Sequence, residues 1–271
     1  MRSDLEKLAA DLVRGAFLEL YLTPKPGLVD QNDSGSHRDL TLPGMEASLG
    51  IVSRYLAELS DSLCRGEDLA AQVRLGVAAE TAMFGTVGTN SHKGYIFLSG
   101  LFLSASAQAP REEQALSEAV ARLAGHFFAQ QESLSSNGSR VRDTFAAGGV
   151  RGEALGGLPS LFGAALPAFR REMTSGGNRG SAVYAMLGRL MATVEDSTAL
   201  HRCGWEGLVT LREDGRRLEL LVAQRGDFIA FLAERNERYV NRNLTMGGVA
   251  DMLALAFAWL SHTGELEVAA R

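Results

Sequence analysis

Apolar residues recur along this chain at three-to-four spacing, and strict alternation is almost absent. Leu5, Leu8, Leu12, Ala16 and Leu20 place one apolar stripe on a helix over residues 4–22. Thr23-Pro24-Lys25-Pro26-Gly27 ends it, because proline cannot continue a helix and disfavours helix in the residue before it. The same spacing predicts helices over 43–64, 67–84, 93–108 and 110–133, with Pro110 suited to a first turn. Glycine-rich loops interrupt near 146–157. Helical patterns then resume over 158–171, 179–194, 205–211, 218–223, 227–238 and 247–261. Only residues 218–222 look strand-like, and that stretch is short. The expectation is an all-α chain: one domain over 1–271, a multi-helix array of roughly ten helices with glycine-rich, ligand-facing loops.

Composition narrows the function. With 46% hydrophobic residues in 271, the chain can bury a large core. The most apolar run, around 252–260, is too short to span a bilayer, and the N-terminus lacks a signal-peptide pattern, so no membrane partner is expected. Two cysteines, Cys64 and Cys203, make no disulfide framework and no metal spacing, which fits a reducing cytoplasm. The net charge of −5, from 27 basic and 32 acidic residues, argues against a nucleic-acid partner. An anionic substrate must then be held by local cations or a metal.

The 30 glycines gather near 85–100, 148–163, 176–180 and 247–248. Glycine inside a helix costs about 1 kcal/mol against alanine, so clusters at helix starts suggest close approach of backbone to a ligand. Five segments concentrate chemistry. The first runs from Thr23 to Asp39, where two prolines stiffen a stretch holding Lys25, Asp30, Asp33, His37, Arg38 and Asp39. The alternative is plain turn and cap chemistry. Next, a Gly/Thr/Ser loop leads through Asn90-Ser91-His92-Lys93-Gly94 into a helix. Lys93 is dipole-disfavoured in a first turn, which predicts an anion nearby. The spacing is not that of a P-loop. In the third, Arg151-Gly152-Glu153 offers a planar cation beside a carboxylate, or simply an ion pair. The fourth is Glu195-Asp196-Ser197-Thr198, where carboxylates read as closing a helix C-terminus and so needing a cation or substrate hydroxyl. In the last, polar residues precede Gly247-Gly248-Val249-Ala250-Asp251, with Asp251 in a first turn.

In series, Thr23-Pro24-Lys25-Pro26-Gly27-Leu28-Val29-Asp30, Asn90-Ser91-His92-Lys93-Gly94, Arg151-Gly152-Glu153-Ala154 and Gly247-Gly248-Val249-Ala250-Asp251 closely resemble the triphosphoribosyl-dephospho-CoA synthase family over residues 18–260. Two departures stand out. The family usually carries Asp-Thr-Asn at Asp196-Ser197-Thr198, and Ser-Pro before the Gly-Gly pair where this chain has Thr245-Met246. The resemblance implies an all-α fold and a transferase. That enzyme moves the triphosphoribosyl group of ATP to the 2′-hydroxyl of 3′-dephospho-CoA and releases adenine. The product is the prosthetic-group precursor of citrate lyase, or malonate decarboxylase, passed on to an acyl-carrier-protein phosphoribosyl-dephospho-CoA transferase. The wording around residues 24–39 is nearer the citrate lyase branch. A homo-oligomer is compatible with all of this.

Adenine displacement builds positive charge on the ribose, by analogy with glycoside cleavage, and needs a base, an acid and a nearby anion. The expected catalytic set is His37, Asp39, His92 and Asp251, with either histidine as base and either aspartate supporting the charge. Lys25, Asn90, Lys93, Gly94, Arg151, Gly247 and Gly248 are expected to hold ATP. Mg²⁺ is the expected cofactor, with Asp30, Glu153 and Asp196 as candidate ligands. Two other functions fit the same residues: a Mg²⁺-dependent nucleotide hydrolase or N-glycohydrolase with water as acceptor, and a non-catalytic ATP-binding adaptor.

Overall fold

The computed structural model describes residues 2–89, 91–109, 112–135 and 149–266. Among these there are eleven α-helices and no strand. They are α1 (Arg2–Tyr21), α2 (Leu42–Cys64), α3 (Leu69–Val87), α4 (Lys93–Ser106), α5 (Glu113–Ser135), α6 (Gly149–Leu155), α7 (Leu166–Thr174), α8 (Arg179–Thr193), α9 (Ser197–Ala223), α10 (Phe228–Arg242) and α11 (Gly247–His262). A π-helical turn, Ser160–Ala165, runs straight into α7. No described helix is long and apolar enough to cross a membrane.

Three expectations need correcting. The glycine-rich stretch after residue 148 is not all loop, since α6 occupies Gly149–Leu155. The separate helices at 205–211 and 218–223, with the strand-like 218–222, are one helix, α9, kinked at Gly204 (φ 63°, ψ −163°). The carboxylates at 195–196 do not close a helix C-terminus. Helix α8 ends at Thr193, and Asp196 is the N-cap of α9, where a negative charge is favoured.

Two close helix pairs organise the core. Helix α1 lies along α11 and α8 along α9. A Cβ on Gly15 would overlap the Ala254 carbonyl, so the α1 and α11 backbones touch there. Gly188 and Gly215 do the same for α8 and α9, each lying where a Cβ would strike the other's carbonyl. Small residues at such crossings bring the neighbouring side chains, Ala16 and Glu19 on α1 and Asp251 on α11, against one another.

The 22–41 connection is pinned rather than loose. Ser36 Oγ donates to the Leu244 carbonyl (2.6 Å), and Gly27 N donates to Asn236 Oδ1 (2.9 Å). Tyr184 Oη donates to the Thr23 carbonyl (2.6 Å). Its far end therefore stands beside the start of α11.

Candidate active site

A cavity of about 270 Å³ opens where α1, the 22–41 connection, the start of α4 and the N-termini of α9 and α11 converge. Its floor is Ala16, Glu19, Ala250, Asp251 and Ala254, the product of the close α1–α11 contact. Its walls carry His37, Asp39, His92, Tyr95, Thr198 and Arg202.

The geometry separates the two histidines. Arg202 donates from Nη2 to His37 Nδ1 (3.2 Å) and from Nη1 to the Ser36 carbonyl (2.7 Å). Guanidinium only donates, so Nδ1 must accept, and the ring proton sits on Nε2 facing Thr245 Oγ1 (3.0 Å). Both His37 nitrogens are therefore engaged. His92 is buried, and its Nδ1 lies 2.5 Å from Ser48 Oγ, which donates to the Met45 carbonyl (2.9 Å). That chain puts the imidazole proton on Nδ1 and leaves the Nε2 lone pair without a partner among the described residues. Burial first, then the cation nearby (Arg202 for His37, Lys25 for His92), pushes each imidazole down from 6.5 to about 4. A depressed value keeps the ring neutral above it. The Cε1–H resonances of both are expected to stay flat from pH 8 to 5 and to titrate near pH 4. A midpoint near 6.5 for either ring in an NMR titration would contradict this geometry.

Asp251 lines the cavity, and no hydrogen-bond donor among the described residues reaches it. Desolvation, then the negative charges of Glu19 and Asp196, raise its carboxyl well above the usual range. Gly94 is explained by this aspartate, since a Cβ there would take the place of Asp251 Oδ2. Asp39 stands exposed at the rim. The Thr89 hydroxyl, in the same cavity, is buried with no partner among the described residues.

Several expected ligand contacts are engaged elsewhere. Lys25 does not reach out for phosphate. It is 1% exposed, and its ammonium meets Glu19 Oε1 at 2.5 Å and the Glu19 carbonyl. Lys93 lies on the outer side of α4, and the anion beside it is Glu80 of α3, at 3.1 Å. Arg151, on the surface, stacks over the Phe128 ring at 4.5 Å. Gly247 and Gly248 leave room for Thr198 Oγ1 and Asp196 Oδ2. Asn90 and Pro110 lie outside the described residues.

The candidate metal carboxylates do not come together. Asp30 accepts from the backbone N–H of Lys25 (3.0 Å) and Asn32 (2.7 Å). Glu153 accepts from Ser160 Oγ (2.5 Å) and Ser160 N (3.2 Å), and burial raises its carboxyl. Asp196 accepts from Ala199 N (2.8 Å) and Val249 N (2.9 Å). No group of three His, Cys, Asp or Glu side chains among the described residues converges as a metal site. Their oxygens accept from N–H groups and, at Glu153, a hydroxyl, so these three residues do not fit a Mg²⁺ ligand set.

Sequence reasoning passed over Glu19, Tyr95 and Arg202. Glu19 sits in the last turn of an amphipathic helix, where a glutamate usually faces water. Arg202 closes a segment already marked by Glu195 and Asp196, and its proximity to His37 was the missing link.

By its similarity to known proteins the chain is a transferase. It belongs to the ATP:dephospho-CoA triphosphoribosyl transferase (CitG) family, whose sequence profile matches residues 5–268. Among curated relatives, proteins named "probable 2-(5″-triphosphoribosyl)-3′-dephosphocoenzyme-A synthase" come from Pseudomonas paraeruginosa and Azotobacter vinelandii. Each is 36% identical, covering 93% and 94% of this chain and 90% and 91% of the relative. A Pseudomonas putida relative of the same name is 33% identical over 96% of both chains. No solved structure matches.

Proposed function

We propose that this chain transfers the triphosphoribosyl group of ATP to the 2′-hydroxyl of 3′-dephospho-CoA, with release of adenine. The observation that carries this reading is the cavity itself. It gathers the 23–39 connection, His92 and the Gly247–Asp251 turn, which are distant in sequence and belong to the blocks that carry the resemblance to the family. His92 offers an unpartnered Nε2 to accept the acceptor hydroxyl proton. Burial makes it a weak base by itself, and the negative charge of a bound triphosphate draws its pKa upward. Glu19 supplies a carboxylate at the floor suited to a sugar that gains positive charge, with Asp251 beside it. Mg²⁺ is proposed to enter with the triphosphate, since it takes most of its ligands from phosphate oxygens and water. Among the described residues Arg202 is the arginine or lysine lining the cavity, and it would exchange its contact to His37 or Asn243 for a phosphate oxygen. The product is proposed to serve the acyl carrier protein of citrate lyase or malonate decarboxylase.

The test is to incubate the protein with ATP, Mg²⁺ and 3′-dephospho-CoA and to quantify adenine and new adducts by chromatography and mass spectrometry. Equal amounts of adenine and of a triphosphoribosyl adduct are expected. Adenine with free ribose triphosphate would mean water is the acceptor. Bound ATP with no adenine would mean a non-catalytic binder.

A further inference from the structure

The cavity floor holds two carboxylates whose surroundings are unequal. Glu19, on α1, is 5% exposed and sits against the ammonium of Lys25. Lys25 is itself sealed from solvent, donating to the Glu19 carboxylate and carbonyl through Nζ and to Asp30 through its backbone N–H. Asp251, on α11, faces the same space with no cation and no hydrogen-bond donor among the described residues. Two like charges in one desolvated space cannot both persist cheaply, and when one has a fixed counter-ion the proton settles on the other. The neighbours agree with this division. Around Asp251 stand Glu19, the Asp196 carboxylate at the start of α9, the Tyr95 hydroxyl on α4 and neutral His92. Around Glu19 stand Lys25 and Asp30; desolvation raises its carboxyl, and the Lys25 ammonium opposes that, a counter-ion Asp251 lacks among the described residues.

Resting on the triphosphoribosyl transfer proposed above, we propose that the two carboxylates divide the charge tasks of the reaction. Asp251 is the neutral acid that protonates departing adenine. Glu19, kept ionised by the positioning residue Lys25, is the anion that stabilises the ribosyl cation. The C1′–N9 bond of ATP breaks with its electron pair leaving on the purine, and the Asp251 proton adds to a purine ring nitrogen. The acceptor 2′-oxygen then bonds to C1′, and its proton passes to His92 Nε2. Loss of that proton to solvent and uptake of one by Asp251 restore the starting state. Lys25 therefore acts on the sugar through Glu19 and does not bind phosphate.

The experiment compares ATP with N7-methyl-ATP, whose purine already carries the positive charge that protonation would supply and so leaves without an acid. Asp251→Asn is expected to lose about 10²–10³-fold in kcat for adenine release from ATP. It should regain most of that loss with N7-methyl-ATP. Glu19→Gln is expected to lose about 10²–10³-fold with both donors, with KM for ATP within about threefold of wild type. Lys25→Arg should keep most activity, whereas Lys25→Met should match Glu19→Gln, again in kcat and not in KM. Should Lys25→Met fail to fold, Lys25→Met/Glu19→Gln removes both charges and is read in its place. An Asp251→Asn enzyme equally impaired on both donors overturns the acid assignment, and Glu19→Gln turning over near the wild-type rate overturns the pairing. Loss of ATP affinity in Lys25→Met with kcat retained would return Lys25 to phosphate binding. Wild-type protein that releases no adenine overturns the transfer reading and this proposal with it, which separates the two failures.

Discussion

Replacing Asp196 with alanine is expected to cost about 4 kcal/mol of stability and to lower the thermal midpoint by about 10 °C. The side chain is fully buried and serves two helices at once. One oxygen caps α9 through Ala199 N, and the other takes Val249 N in the first turn of α11. The backbone N–H groups of Thr198 and Gly248 also favour its charged form, though desolvation outweighs all four and raises its carboxyl. Alanine would leave these donors buried without an acceptor, and an unsatisfied buried donor costs more than an average hydrogen bond contributes. Asp196→Asn keeps one acceptor oxygen and should lose roughly half as much by the same accounting. Calorimetry on the three proteins decides it, and an alanine variant melting within about 3 °C of wild type would show that the junction relaxes around the loss.

The second large effect is on catalysis. His92→Gln is expected to lower kcat for adenine release by about 10²–10⁴-fold, the range for removing a general base. The melting temperature should be nearly unchanged, because glutamine can keep the contact to Ser48. Ser48→Ala should lose about tenfold, because it frees Nδ1 and lets the imidazole proton move to the nitrogen that must accept. His37→Gln, by contrast, removes a ring whose two nitrogens are already taken, so its effect should fall on the Arg202 contact and on KM. Steady-state kinetics on the three variants tests the ordering. His92→Gln within tenfold of wild type would remove the imidazole from the chemistry.

Much of the helical fold was legible because a 3.6-residue period survives in most segments, and α2, α4, α8 and α11 come within a few residues of expectation. Two of the three misses share one cause, glycine. Helix α9 carries Gly204, Gly207 and Gly215, which break the apolar pattern, yet Gly215 is there so that α8 can approach. Glycine in the sequence signalled ligand approach; in the fold it also serves helix approach, as at Gly15, Gly188 and Gly215, or makes room for a neighbouring side chain, as at Gly94, Gly247 and Gly248. The site was legible where chemistry is local: His92 and Asp251 stand in the cavity. It was not legible where a side chain's meaning depends on a partner. Lys25 reads as a free cation until Glu19, one helix end away, is placed against it, and Lys93 reads as a phosphate contact until Glu80 is.

The contact between α1 and α11 has a consequence during synthesis. Gly15 must meet Ala254, so the floor of the cavity joins parts of the chain separated by nearly its whole length. At a ribosomal rate of roughly 5–20 residues per second, α1 waits on the order of 10–50 s for its partner. In that interval its apolar stripe of Leu5, Leu8, Leu12 and Leu20 can shelter against α2 and then α4, the partners made before α11. Glu19 and Lys25 are close enough in sequence to pair while the chain is still growing, so one half of the cavity floor can be set before α11 brings Asp251 to complete it.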